Sequence, residues 1–136
     1  MIVDTSAVVA ILLGEPEADA LVAALLSAPG ARMSAATYVE LAAVVAARAA
    51  PQQHRRLDAL LHRIGVEVVA LTPEHATLAA AAYRDFGRGS GHPARLNLGD
   101  CYAYALATAA DEPLLFVGDD FSRTDVRTAL PRSGPV

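Results

Sequence analysis

The chain has 136 residues, 54% of them hydrophobic and 5% aromatic, and a formal net charge of -4. That length and apolar content set a single domain, 1–136, with a real core and exclude a disordered chain. No apolar run approaches the roughly 20 residues of a membrane span, and the negative charge gives no overall attraction for nucleic acid. All 11 basic residues are arginine, so the lysine that a P-loop needs is absent, as is the one used by acidic-pocket phosphatases and receiver domains. The start carries Asp4 and no basic region, so no signal peptide is expected. Cys101 is the only cysteine; without an intramolecular disulfide, the expected location is cytoplasmic.

In chain order, Met1 to Val3 reads as a short buried strand. Ser6 to Leu13 is predicted helical with Thr5 or Ser6 as N-cap. Gly14-Glu15-Pro16 breaks it, and Pro16 then sits in the first turn of a helix over Glu17 to Ser27. Arg32 to Ser34 suits a short strand. Ala36 to Ala49 is a helix stopped by Pro51, and Gln52 to Ile64 is an amphipathic helix with Leu57, Leu60, Leu61 and Ile64 inside. The β-branched run Val66 to Leu71 predicts a strand. Thr72-Pro73-Glu74 reads as a cap with proline at the first helical position, opening a helix to about Phe86. Gly87 to Pro93 is the one flexible loop, Leu98 to Ala110 a helix, and Leu114 to Val117 a buried strand. The tail after Leu130 is expected to fray. Strands alternating with helices imply an α/β domain with a central, mostly parallel sheet flanked by helices, whose site lies beyond the carboxyl ends of the strands.

Acids stand where apolar residues are expected. Asp4 ends the first strand. Glu40 lies inside A-T-Y-V-E-L-A-A-V-V, with Ala36, Val39, Ala43 and Val44 as its helical neighbours. Asp100 opens G-D-C-Y-A-Y-A-L-A, and Asp119 and Asp120 end L-L-F-V-G-D-D-F. A carboxylate beside buried surface costs several kcal/mol unless it is paired or binds a metal. Each has an ordinary alternative: Asp4 as a helix cap, Glu40 as a surface acid, Asp100 as a partner of a helix dipole, Asp119 and Asp120 as turn residues, Asp125 as a cap or surface acid. Taken together they suggest one acidic pocket holding a hard cation, because Mg2+ and Mn2+ take oxygen ligands. Metal-assisted phosphodiester hydrolysis fits a pocket without lysine.

The segments M-I-V-D-T-S-A, L-N-L-G-D-C-Y-A-Y-A-L-A and L-L-F-V-G-D-D-F-S-R-T-D, with Glu40 between them, resemble the PIN-domain ribonucleases, and among these the VapC toxins of bacterial toxin–antitoxin pairs. The resemblance runs from Met1 to about Val126. It implies a PIN-like fold and a Mg2+-dependent endoribonuclease, with Mn2+ as a possible substitute, that forms a homodimer and is inhibited by a VapB-type antitoxin. Asp4, Glu40 and Asp100 match the family's acidic triad. For the fourth acid, Asp120 is the better match because related toxins can carry Asn at the preceding position, and Asp119 stays open. Thr5 or Ser6 would bond the carboxylates or the substrate phosphate, with Asn97 and Asp125 as supporting groups. The loop G-R-G-S-G-H-P is longer at Ser90-Gly91 than the family's usual form.

Arg84, Arg88, Arg95 and His92 precede Asp100 and suit an RNA backbone guided into the pocket, or a solvated loop that balances nearby acids. His54, His62 and His75 read as surface residues, and Cys101 as a small buried one. Two other function classes are a catalytically weak antitoxin-binding module acting in a repressor complex and, opposed by the missing lysine, a phosphatase.

Overall fold

The protein is described here by a computed structural model covering residues 1–130; the predicted fraying after Leu130 falls outside the described residues. Four strands, β1 (Ile2–Val3), β2 (Ala31–Ser34), β3 (Val66–Val69) and β4 (Leu114–Leu115), form a sheet in the order β3-β2-β1-β4. Every pairing is parallel, with Ile2 opposite Arg32 and Leu114, and Val3 opposite Leu115. Parallel neighbours need crossover connections, and helices supply them. These are α1 (Thr5–Leu12), α2 (Ala18–Ser27), α3 (Ala35–Arg48), α4 (Pro51–Arg63), α5 (Pro73–Phe86) and α6 (Leu98–Ala110).

Strand alternation divides the core. Successive side chains of a strand point to opposite faces. Val3 and Leu115 accordingly join a cluster with Val8, Leu21, Met33, Leu41 and Leu57 from α1 to α4 and β2. Ile2 and Leu114 join the opposite cluster, built from Ala79 and Ala82 of α5 and the Cys101 to Ala107 stretch of α6. β1 is therefore covered on both faces and bonded on both edges, and Ile2 and Val3 have no exposed surface. Ala79 and Ala82 of α5 pack in this second cluster with Ala103, Ala105 and Ala107 of α6.

Several boundaries differ from the sequence reading. The N-cap of α1 is Asp4, not Thr5 or Ser6: its backbone is extended and its carboxylate accepts from the Ser6 N–H. Pro16 lies in the turn before α2 rather than inside its first turn. Pro51 does not merely stop α3 but opens α4 at the first helical position, where its missing N–H costs nothing. β3 ends at Val69 and β4 at Leu115, short of the predicted Leu71 and Val117. After β4 the chain returns alongside it, with the Leu114 N–H donating to Arg127 O at 2.8 Å and the Ala129 N–H to Leu114 O at 2.9 Å. The 87–93 loop is tied at its base: the Arg88 N–H donates to Leu96 O at 3.0 Å and the Leu96 N–H to Phe86 O at 2.9 Å. Inside it, Ser90 Oγ donates to Gly87 O and accepts from the His92 N–H.

Thr72 caps α5 as its sequence suggests, its Oγ1 accepting from the His75 N–H at 3.1 Å. Thr72→Ala is expected to cost about 1 kcal/mol. Leu41→Ala, at a position without exposed surface, is expected to cost about 2–5 kcal/mol. Urea unfolding followed by circular dichroism measures both.

Candidate active site

Asp4 leaves the carboxyl end of β1, the central strand, where the chain turns into α1. Its Oδ2 takes three roles at once. It caps α1 by accepting from the Ser6 N–H at 3.0 Å, it accepts from Ser6 Oγ at 2.8 Å, and through Ser6 Oγ it is tied to the Val117 N–H at 3.0 Å beyond β4. Oδ1 is buried and has no hydrogen-bond partner. Asp4 is 3% exposed, and burial is the largest cause pushing its carboxyl up from 3.8 to about 7. The Ser6 bonds work against that shift, and the charges of Asp100 and Glu40 add to it.

Asp100 is placed by the start of α6. Asn97 caps that helix, its Oδ1 accepting from the Asp100 N–H at 2.8 Å, while Asp100 Oδ2 accepts from the Asn97 N–H at 3.0 Å. This reciprocal box fixes the Asp100 side chain at the positive end of a helix. Burial pushes its carboxyl up from 3.8 to about 6, the Asn97 backbone bond opposes this, the charges of Asp120 and Glu40 raise it further, and Arg88 lowers it.

Glu40 arrives from the middle of α3 and is half-buried, its Oε1 accepting from Thr5 Oγ1 at 2.6 Å. The apolar ring expected around it is incomplete, since Val39 is 67% exposed. Glu40 sits at the border between the buried face of α3 and solvent.

Asp4, Thr5, Ser6, Glu40, Asn97 and Asp100 line one cavity of about 270 Å³, so β1, α1, α3 and α6 contribute to a single acidic site. Among the described residues, no three His, Cys, Asp or Glu side chains close on one point as a ready metal cage. The donor set nevertheless fits a hard cation: buried carboxylates from separate elements, one with a bare oxygen, leave coordination positions for water, as Mg2+ requires.

The other candidates divide. Asp120 is exposed, precedes the 3-10 turn Phe121–Arg123 without a side-chain capping bond, and acts on Asp100 through its charge. Asp119 is exposed, and its recorded bonds are those of its carbonyl, which accepts from Ser122 N–H and Oγ. Asp125 accepts from Tyr104 OH at 2.5 Å and does not line the cavity. Arg88 acts on Asp100, whereas Arg84 is 73% exposed and pairs with Asp85 at 3.1 Å. His92 packs its ring edge-on to Phe86 and accepts from the Ala94 N–H. His54 and His62 are exposed, and His75 belongs to the α5 cap. Cys101 has no exposed surface, and burial pushes its thiol up to about 12, which fits a core residue.

The cavity also includes Glu15 and Arg48, paired at 3.8 Å, which the sequence reading passes over. In the sequence Glu15 is part of the helix-breaking Gly14-Glu15-Pro16, and Arg48 is a residue near the end of a helix with nothing local to single it out. Only the packing of α1 against α3 brings them to the rim.

The family model described as PIN domain matches residues 1–127. The chain is 57% identical over 129 residues to the ribonuclease VapC42 of Mycobacterium tuberculosis, covering 95% of this chain and 98% of that protein. It is 51% identical over 132 residues to the ribonuclease VapC28 of the same species, covering 97% and 99%. Among solved structures, M. tuberculosis VapC20, described as a sarcin-ricin loop cleaving toxin, aligns with a TM-score of 0.71 at 18% identity over 92% of this chain and 95% of that one. A chain from a Klebsiella pneumoniae toxin–antitoxin complex aligns at 0.66 and 19% identity, covering 89% of each.

The raised Asp4 and Asp100 carboxyls make stability depend on pH. A carboxyl whose folded-state pKa lies above its unfolded value binds its proton more tightly in the native state. Its contribution is therefore fully present below about pH 4 and is lost as the pH rises through about 7 for Asp4 and about 6 for Asp100. In chelator, Asp4→Asn is expected to be more stable than the unaltered protein at pH 8, by on the order of 3 kcal/mol. That advantage should shrink as the pH falls to 4.5. Thermal unfolding across this range measures the difference between the two proteins.

Proposed function

The chain belongs to the PIN-domain family, and from that premise we propose that it is the toxin of a type II toxin–antitoxin pair, an endoribonuclease that uses Mg2+ or Mn2+. The observation that carries this reading is Asp4, a buried carboxylate at the end of the central strand with Oδ1 unpartnered, in a cavity shared with Glu40 and Asp100. Such an oxygen costs free energy until it meets a cation. The 57% identity to a ribonuclease over nearly the whole chain supports the same activity.

Asp4, Asp100 and Glu40 would hold the metal, with Asp120 as the fourth acid because its charge reaches Asp100. Bound there, the cation would lower the pKa of a water and offset charge on the scissile phosphate. Ser6 occupies Asp4 Oδ2 through its N–H and Oγ, which leaves Oδ1 as the oxygen that would meet the cation. Thr5 anchors Glu40 through Oε1, which sets that carboxylate on the wall contributed by α3. Asn97 prevents Asp100 from rotating away. Asp4 and Asp100, raised to about 7 and about 6 chiefly by burial, would have to give up their protons to hold a cation, so affinity for it would rise with pH across that interval. Arg88, whose charge reaches Asp100, would draw a phosphate toward the cavity.

The partner on this reading is a VapB-type antitoxin. A homodimer belongs to the same proposal, and the exposed apolar side chains of Val39 and Leu98, 67% and 54% exposed, offer surface for association.

Purified protein incubated with total cellular RNA is expected to make discrete cuts with Mg2+ or Mn2+ and none in EDTA. Asp4→Asn and Asp100→Asn should each lower the rate at least a hundredfold, and the products should carry 5′-phosphate and 3′-hydroxyl ends. Cyclic 2′,3′-phosphate ends would overturn the metal-assisted route. Undiminished toxicity of Asp4→Asn in cells would favour an antitoxin-binding module instead. Arg88→Ala should weaken RNA binding and lower its salt dependence by about one phosphate contact, while Arg84→Ala should change neither; filter binding across a salt series separates them.

A further inference from the structure

Gly99 is a glycine without a conformational reason. It lies in the first turn of α6, and its backbone is not in the left-handed region. Glycine is a poorer helix former than alanine, so at this position it needs another explanation. Space supplies one. A Cβ built on Gly99 would stand 1.3 Å from Glu40 Oε2, 2.2 Å from its carboxyl carbon and 2.8 Å from Oε1. The Glu40 carboxylate therefore rests in the volume that any other residue's Cβ would fill. Its opposite oxygen, Oε1, is held by Thr5 Oγ1 at 2.6 Å.

We propose that Gly99 is a positioning residue: its missing side chain forms the seat of the Glu40 carboxylate, and with Thr5 it sets how near Glu40 comes to Asp4 and Asp100. Two contacts from different elements, a hydroxyl on α1 and a bare Cα on α6, then locate an acid whose own helix, α3, does not. The start of α6 serves the cavity twice. It holds Asp100 through the Asn97 box, and one residue earlier it admits Glu40 against the positive end of the helix, where an anion is favoured. The nearest atoms to the added Cβ belong to the far end of a flexible side chain, so the fold can accept Gly99→Ala by letting Glu40 swing away. Glu40, not the core, bears the consequence.

This inference deepens the proposed nuclease reading and rests on it, but its test has a readout independent of cleavage. Mn2+ binding is measured by calorimetry, alongside thermal unfolding in chelator and RNA cleavage, for the unaltered protein, Gly99→Ala, Glu40→Ala and the double variant. Gly99→Ala is expected to keep or raise the unfolding temperature in chelator. It should weaken Mn2+ binding and lower cleavage about tenfold to a hundredfold, the range seen when a group that orients a ligand is lost. In the Glu40→Ala background, which empties the contested space, adding Gly99→Ala should change both readouts less than about twofold, because the two residues act as one unit. Mn2+ affinity and cleavage unaltered in Gly99→Ala, or a loss of equal size in both backgrounds, would overturn the assignment. If the unaltered protein binds Mn2+ but cleaves no RNA, the nuclease reading fails while the Mn2+ cycle still decides the role of Gly99.

Discussion

The molecule is organised around one costly placement, a carboxylate buried where the central strand ends. Asp4 has a hydrogen-bonded oxygen and a bare one, and much of the surrounding structure serves to keep it there. β1 cannot slide, because it is bonded to β2 and β4 and its two side chains are locked into separate core layers. Ser6 cannot release Oδ2 without also leaving the Val117 N–H unpaired. A rigid scaffold is what makes a buried, unsatisfied oxygen sustainable, since a looser one would relax to hydrate it or pair it.

The start of α6 is the counterpart of that strand end. A helix N-terminus tolerates negative charge, and here it receives both Asp100 and Glu40. The first is built into the helix's own cap, and the second comes from α3. Burial first, and then the charges of neighbouring acids, raise the Asp4 and Asp100 carboxyls, and these acids are gathered where a helix offsets part of that cost. Tyr104, further along α6, binds Asp125 and ties the returning C-terminal segment to the same helix, so α6 also connects the cavity wall to the closing edge of the sheet.

The acids of the cavity were legible in the sequence because each interrupts an apolar segment, a pattern that costs too much to be incidental. The fold class was legible for a similar reason: short β-branched or aliphatic runs separated by helical periods leave few options other than a parallel α/β sheet. Asp4 as cap and Asp4 as pocket acid looked like alternatives, yet a carboxylate has two oxygens and the protein uses one for each. What the sequence could not resolve was direction. Asp119 and Asp120 are adjacent in a turn after Gly118, whose φ is 100°, and only the three-dimensional path shows that it is the charge of Asp120 that reaches Asp100. Arg84 and Arg88 are one helical turn apart in sequence, but α5 ends between them and sends them to different surroundings. Glu15 and Arg48 meet across two helices, and Gly99 matters for an atom it lacks, so neither leaves a local signature.

The position of β1 has a consequence for how the protein comes into being. β1, an inner strand, takes as its neighbour on one side the edge strand β4, which comes much later in the sequence, Ile2 against Leu114 and Val3 against Leu115. On a ribosome, β1 is made long before β4 and waits, with one edge bare, until β4 has been synthesised. Asp4 likewise waits for α6 before Asp100 stands opposite it. A nascent or truncated chain ending before α6 cannot assemble the cavity however well its earlier helices form. The acidic site therefore exists only once α6 has joined the strands and helices made before it.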